Sequence, residues 1–109
     1  MNNREAIYQS ITVIEKNLKN DVTVYAVSQE LGFSFYYFSR LFKGITGFSP
    51  KTYILNRKIT ESVNDVLHTD KKIIEIAYDV GYNNISFFNR YFKKTMEISP
   101  MEYRKRVRM

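Results

Sequence analysis

Apolar residues recur at three- and four-residue intervals along almost the whole chain, the spacing of one face of an α-helix. In "REAIYQSITVIEKNL" the positions Ile7, Ile11, Ile14 and Leu18 fall on such a face and predict a first helix over roughly 4–19. In "NDVTVYAVSQELG" Val24, Val27 and Leu31 repeat the spacing. Asp21 or Thr23 can cap this second helix, and Gly32 can end it in a left-handed turn. Ser34 then caps a third helix, 34–46, closed by Gly47. Its apolar stripe is Phe38, Leu41, Phe42 and Ile45, which leaves Phe35, Tyr36, Ser39, Arg40 and Lys43 on the opposite face. Pro50 suits the first turn of a fourth helix, where its missing amide hydrogen costs nothing, and the pattern carries that helix to about Leu67.

The pattern then restarts. "DKKIIEIAYDVG" matches "NDVTVYAVSQELG", with Ile73, Ile76 and Val80 as the apolar positions, and "NNISFFNRYFKKTM" matches "SFYYFSRLFKGIT". In this second copy Phe88, Tyr91 or Phe92, and Thr95 are expected to pack inward, while Asn84, Ile85, Ser86, Asn89 and Arg90 face out. Pro100 opens a last short helix to about Arg106. The repeat is plainest where "SRLFKGITGFSP" at 39–50 returns as "NRYFKKTMEISP" at 89–100, with Arg40/Arg90, Phe42/Phe92, Lys43/Lys93, Ser49/Ser99 and Pro50/Pro100 identical. One register change separates the copies: Gly32 lies eight before Arg40, but Gly81 lies nine before Arg90.

Each copy is therefore a short helix, a tight turn at glycine and a longer basic helix. Ser28 and Gly32, like Ala77 and Gly81, are small residues four apart that let two helices cross closely. This is the helix-turn-helix pattern, whose second helix enters the DNA major groove. The fourth helix would span about 27 Å at ~1.5 Å per residue, near the ~34 Å between successive major-groove faces on one side of a duplex. One chain could then fill two adjacent grooves, one copy of the repeat in each. The expected organisation is an N-terminal lobe at 1–49, a connecting helix at 50–67 and a C-terminal lobe at 68–109.

Charge sharpens this reading. Lys and Arg number 17 against 11 acids, for a net charge of +6. No acid occurs from Leu31 to Thr60 or from Val80 to Met96, so both predicted basic helices are locally cationic, and the tail adds Arg104, Lys105, Arg106 and Arg108. Phe35 and Tyr36 beside Arg40 suit thymine methyls, sugars and base edges, while Arg can pair with guanine. Catalysis is disfavoured. His68 is the only histidine and reads as a helix C-cap or surface group, and no nucleophile set or glycine-rich phosphate loop exists. The absence of cysteine excludes disulfides and thiolate metal sites. No metal, catalytic group or cofactor is expected, nor a membrane span. A helical protein-interaction module is the alternative; it explains the aromatics but not the acid-free basic helices.

The second copy, "IIEIAYDVGYNNISFFNRYFKKTMEISPMEYR", closely resembles the signature of the AraC/XylS family of bacterial transcription regulators, and the resemblance extends from about Ile7 to Arg106. It implies an all-α fold of seven helices, two helix-turn-helix lobes of homeodomain-like three-helix form joined by a long central helix. Carried over by position, it implies that Tyr36, Ser39 and Arg40 read bases from the first recognition helix, and Ile85, Ser86, Asn89 and Arg90 from the second. Lys43, Asn83 and Asn84 are then phosphate contacts. The chain departs from the family pattern at Glu97, where glycine is usual and where the first copy has Gly47, and at Ser28, where alanine is common. The expected partners are double-stranded DNA with an asymmetric two-part site, RNA polymerase, and a sensing domain outside this chain; the expected location is the cytoplasm. Met1 just ahead of the first helix suits a stand-alone regulator or one whose sensing domain follows, and a fragment of a longer response regulator is a further reading.

Overall fold

The structure, a computed structural model, describes residues 2–108. Its described residues form seven helices and no strand: α1 Asn3–Lys16, α2 Val24–Glu30, α3 Phe35–Thr46, α4 Pro50–His68, α5 Ile73–Asp79, α6 Ile85–Met96 and α7 Pro100–Arg108. The caps follow local chemistry. The Thr23 and Ser34 hydroxyls accept the amides of Ala26 and Tyr37, and the Asn84 side chain accepts that of Phe87, each satisfying a donor the first helical turn leaves unpaired. Thr23, not Asp21, is thus the cap of α2. The first helix stops at Lys16, short of the expected 19, because Asn17 turns the chain; Leu18 still reaches the core.

The chain divides into two compact units, one ending at Leu55 and the other beginning at Asn56. In the first unit, α1, α2, α3 and the start of α4 close over Ile7, Ile14, Leu18, Val27, Phe38, Phe42 and Ile54. In the second, the rest of α4 with α5, α6 and α7 buries Ile59, Val66, Ile73, Ile76, Ala77, Val80, Phe88 and Phe92. The two interiors correspond closely. The buried Ser10 lies between Ile7 and Ile14 and donates to the Ile7 carbonyl at 2.6 Å; the buried Ser62 lies between Ile59 and Val66 and donates to Ile59 at 2.6 Å. Tyr53 meets Phe42 edge-on at 5.5 Å, as Tyr103 meets Phe92 at 5.9 Å. So α4 serves twice: its first turns cover the first core, and its remainder is the counterpart of α1 in the second. The sequence reading saw it only as a joint.

Both glycine turns have the same hydrogen bonds. After α2 the amide of Phe33 donates to Ser28 and that of Gly32 to Gln29; after α5 the amide of Tyr82 donates to Ala77 and that of Gly81 to Tyr78. This closed helix end needs a left-handed residue, and Gly32 and Gly81 supply it at φ 76° and 91°. Ser28 fits where alanine is usual because its buried hydroxyl donates to the Tyr25 carbonyl at 2.7 Å, so nothing polar is left unpaired. Glu97 takes φ 74° at the end of α6 and repeats the Gly47 geometry, each amide donating at 2.8 Å to the lysine carbonyl four residues back.

Candidate nucleic-acid interface

The outward faces of α3 and α6 are set by what each helix buries. Phe38 and Phe42 in α3, and Phe88 and Phe92 in α6, are fully buried. At 100° per residue, Arg40 and Arg90 then lie opposite the core on their helices, and both are exposed. On α3, Tyr36 is 78% exposed and meets the exposed Phe35 edge-on at 5.6 Å. Lys43 is exposed on the same face and Ser39 is half-buried at its margin. On α6, Ser86, Asn89 and Arg90 are exposed, while Ile85 is half-buried. Asn83 and Asn84 are exposed at the start of α6, and Asn84 spends its carbonyl oxygen on the cap, which leaves its amide hydrogens outward.

Thr95 departs from expectation. It lies in the last turn of α6, past the layer filled by Phe88 and Phe92, and is exposed instead of packed. Of the two aromatics weighed for the inward position, Phe92 takes it; Tyr91 is half-buried and its hydroxyl donates to the Asn56 side chain at 3.0 Å. That partial burial raises the Tyr91 hydroxyl pKa. The sequence reading gave no contact role to Phe87 or to Lys94, which are exposed beside Arg90. The signal was available: three and four residues along a helix are neighbours on its surface, and Phe87, Arg90, Tyr91 and Lys94 follow that spacing.

Electrostatics favour an anion at both helix starts. Neither α3 nor α6 has an acid in its first turn, a trait shared with α2 and α4, whereas α1, α5 and α7 carry Glu5, Glu75 and Glu102 there. No carboxylate opposes the positive end of either helix dipole, and the first-turn amides that Ser34 and Asn84 do not cap suit a phosphate oxygen. Two cations of the basic tail have other work. Arg104 Nε donates to the Val66 carbonyl at 2.9 Å, and Arg108 pairs with Asp70 at 2.8 Å and donates to the carbonyls of Leu67 and Thr69. These guanidinium groups close the C-terminus of α4, where orphan carbonyls concentrate negative charge. Among the described residues, no group of three or more His, Cys, Asp or Glu could hold a metal ion, and no helix is long and apolar enough to cross a membrane.

Two short-helix, glycine-turn, cationic-helix units define a helix-turn-helix protein, and the family model for a helix-turn-helix domain matches residues 25–106. The chain belongs to the AraC/XylS family. It is 34% identical over 92 residues to the transposon Tn10 TetD protein of Escherichia coli, covering 84% of this chain and 67% of that one. It is 29% identical over 103 residues to the HTH-type transcriptional activator RhaS of Mannheimia succiniciproducens, which covers 94% of this chain but only 38% of RhaS. Among solved structures, the C-terminal domain of the two-component response regulator yesN from Fusobacterium nucleatum superposes with a TM-score of 0.87 at 30% identity, over 92% of this chain and 98% of that one.

Proposed function

We propose that this chain is a sequence-specific double-stranded DNA-binding transcription regulator that inserts α3 and α6 into successive major grooves of an asymmetric site. The observation that carries the proposal is the matched placement of Arg40 and Arg90, each exposed and opposite a buried phenylalanine pair on a helix whose first turn holds no acid. Tyr36, Ser39 and Arg40 read one half-site; Ile85, Ser86, Asn89 and Arg90 read the other. Phe35 adds apolar contact, and Lys43, Asn83 and Asn84 hold phosphates. The lobe at 1–49 with the first turns of α4, and the lobe at 68–109 with the rest of that helix, act as the two reading heads. RNA polymerase and a sensing domain outside this chain are the further partners, and the cytoplasm is the place of action. Membership in a family that includes a named transcriptional activator supports this reading.

The test begins with selection of bound sites from random duplex DNA. On the selected site, Arg40→Ala and Arg90→Ala are each expected to cost ~1–3 kcal/mol and to relax base preference at one position, while Lys43→Ala weakens every sequence alike and lowers the salt slope by about one. Equal loss of specific and nonspecific binding in Arg40→Ala and Arg90→Ala would remove their base-reading role. A chain that binds no duplex even at low salt would instead be a protein-interaction module.

A further inference from the structure

On the exposed side of α6, Phe87, Arg90, Tyr91 and Lys94 line an open notch of about 180 Å³. The Phe87 and Tyr91 rings stack, with centroids 5.7 Å apart and planes 22° from parallel. The Arg90 guanidinium lies 6.0 Å from the Phe87 centroid, and the Lys94 ammonium lies 5.7 Å from that of Tyr91. Tyr91 is anchored by its hydroxyl bond to Asn56, and Phe87 also lies against Tyr82 at 6.0 Å. The aromatic wall is thus fixed before any ligand arrives, and a cation resting on each ring has less freedom to lose on binding. The matching positions of α3 are Tyr37, Arg40, Leu41 and Gly44. There the Tyr37 ring turns onto Phe33 at 5.4 Å, and Gly44 offers no cation.

We infer that this notch receives the 5-methyl group of a thymine adjacent to the guanine contacted by Arg90, so that the second half-site contains a thymine–guanine step. The inference rests on the DNA-reading function proposed above and adds the base feature that one half-site selects. In the major groove, thymine alone among the four standard bases carries a methyl group, and guanine alone presents two acceptors, N7 and O6, for a forked guanidinium. An apolar ring wall and an arginine side by side on one helix match those two features on neighbouring base pairs. Lys94, at the rim, faces the flanking phosphate.

Replacing thymine by deoxyuridine removes the methyl group and nothing else. The full chain is titrated by fluorescence anisotropy, at fixed salt, against the selected duplex with each thymine replaced in turn. One replacement, next to the guanine whose preference Arg90→Ala relaxes, is expected to weaken binding about fourfold, the worth of one buried methyl. Phe87→Ala, and Phe87→Gln as a bulkier variant, should bind the thymine and deoxyuridine duplexes equally. Because that ratio is taken within each protein, any loss of folded fraction cancels. A selected site indifferent to every deoxyuridine in the Arg90 half, or a fourfold loss that persists in both Phe87 variants, overturns the notch and leaves the DNA-reading function standing. Absence of any sequence preference in the unmodified chain defeats that function, and the notch with it.

Discussion

Glu97 holds a backbone conformation that the first unit gives to a glycine. Its φ of 74° lies in the left-handed region, as does Gly47 at 86°. A side chain there costs roughly 1–2 kcal/mol. Glycine would remove that cost but free the unfolded chain, which returns about 0.4–1 kcal/mol. The balance favours Glu97→Gly by about 0.5–1 kcal/mol, seen as a higher melting temperature; an unchanged or lower one would mean the glutamate side chain offsets its own strain. Tyr82 makes a second residue-scale case. Burial, helped by the nearby Tyr91 hydroxyl, pushes its pKa well above the usual tyrosine value of about 10. The folded-state value is raised, so the stability is present below about pH 10 and is lost as the pH rises beyond it, when the unfolded chain can ionise and the folded one cannot. Melting temperatures measured from about pH 8 to pH 11 should therefore fall less steeply for Tyr82→Phe than for the unmodified chain.

Each recognition helix stands on a phenylalanine pair. Phe38 and Phe42 lie 5.7 Å apart between centroids, and Phe88 and Phe92 lie 5.8 Å apart, all four out of contact with solvent. Truncating Phe42 or Phe92 to alanine leaves a cavity in a small core, at a cost of about 3–5 kcal/mol. Denaturant titration should show that loss for both variants. Normal unfolding with lost DNA binding would instead put these rings on the contact face and overturn the phasing of α3 and α6. That phasing was legible in the sequence, since a 3.6-residue period needs only local spacing. Thr95 was not, because a period says which side a residue faces but not where the core ends along the helix. Phe87 was legible and passed over, because an aromatic next to Phe88 reads as core unless the angle of each is drawn separately.

For the whole molecule, charge and connection matter most. A net charge of +6 attracts any duplex, so specificity has to be judged at fixed salt. The two reading helices are joined through α4, 19 residues and about 28 Å long. Two unlike half-sites about one turn, or ~10 base pairs, apart are therefore expected, and one chain should suffice to occupy both. Five base pairs inserted between the half-sites should reduce affinity towards that of a single unit. Ten inserted pairs restore the face but add ~34 Å, so binding should not recover. Titration at fixed salt decides: unchanged affinity after the five-pair insertion would mean that one helix alone reads DNA.

Helix spans, most caps, both glycine turns and the two cationic faces were determined by the sequence itself, because each depends on residues within a turn or two of one another. The double service of α4 is half-written in the sequence, where Ile59, Ser62 and Val66 repeat the spacing of Ile7, Ser10 and Ile14, but which core each end of the helix closes was decided by tertiary structure. So was the fate of the basic tail. Arg104 and Arg108 count as free charge in a sequence, yet they bind carbonyls of Val66, Leu67 and Thr69, some forty residues away. The buried Lys58, whose ammonium donates to the Gly81 carbonyl at 3.0 Å, is another such case. Contacts across that separation leave no periodic trace, and a cation's role depends on which carbonyls the fold brings within reach.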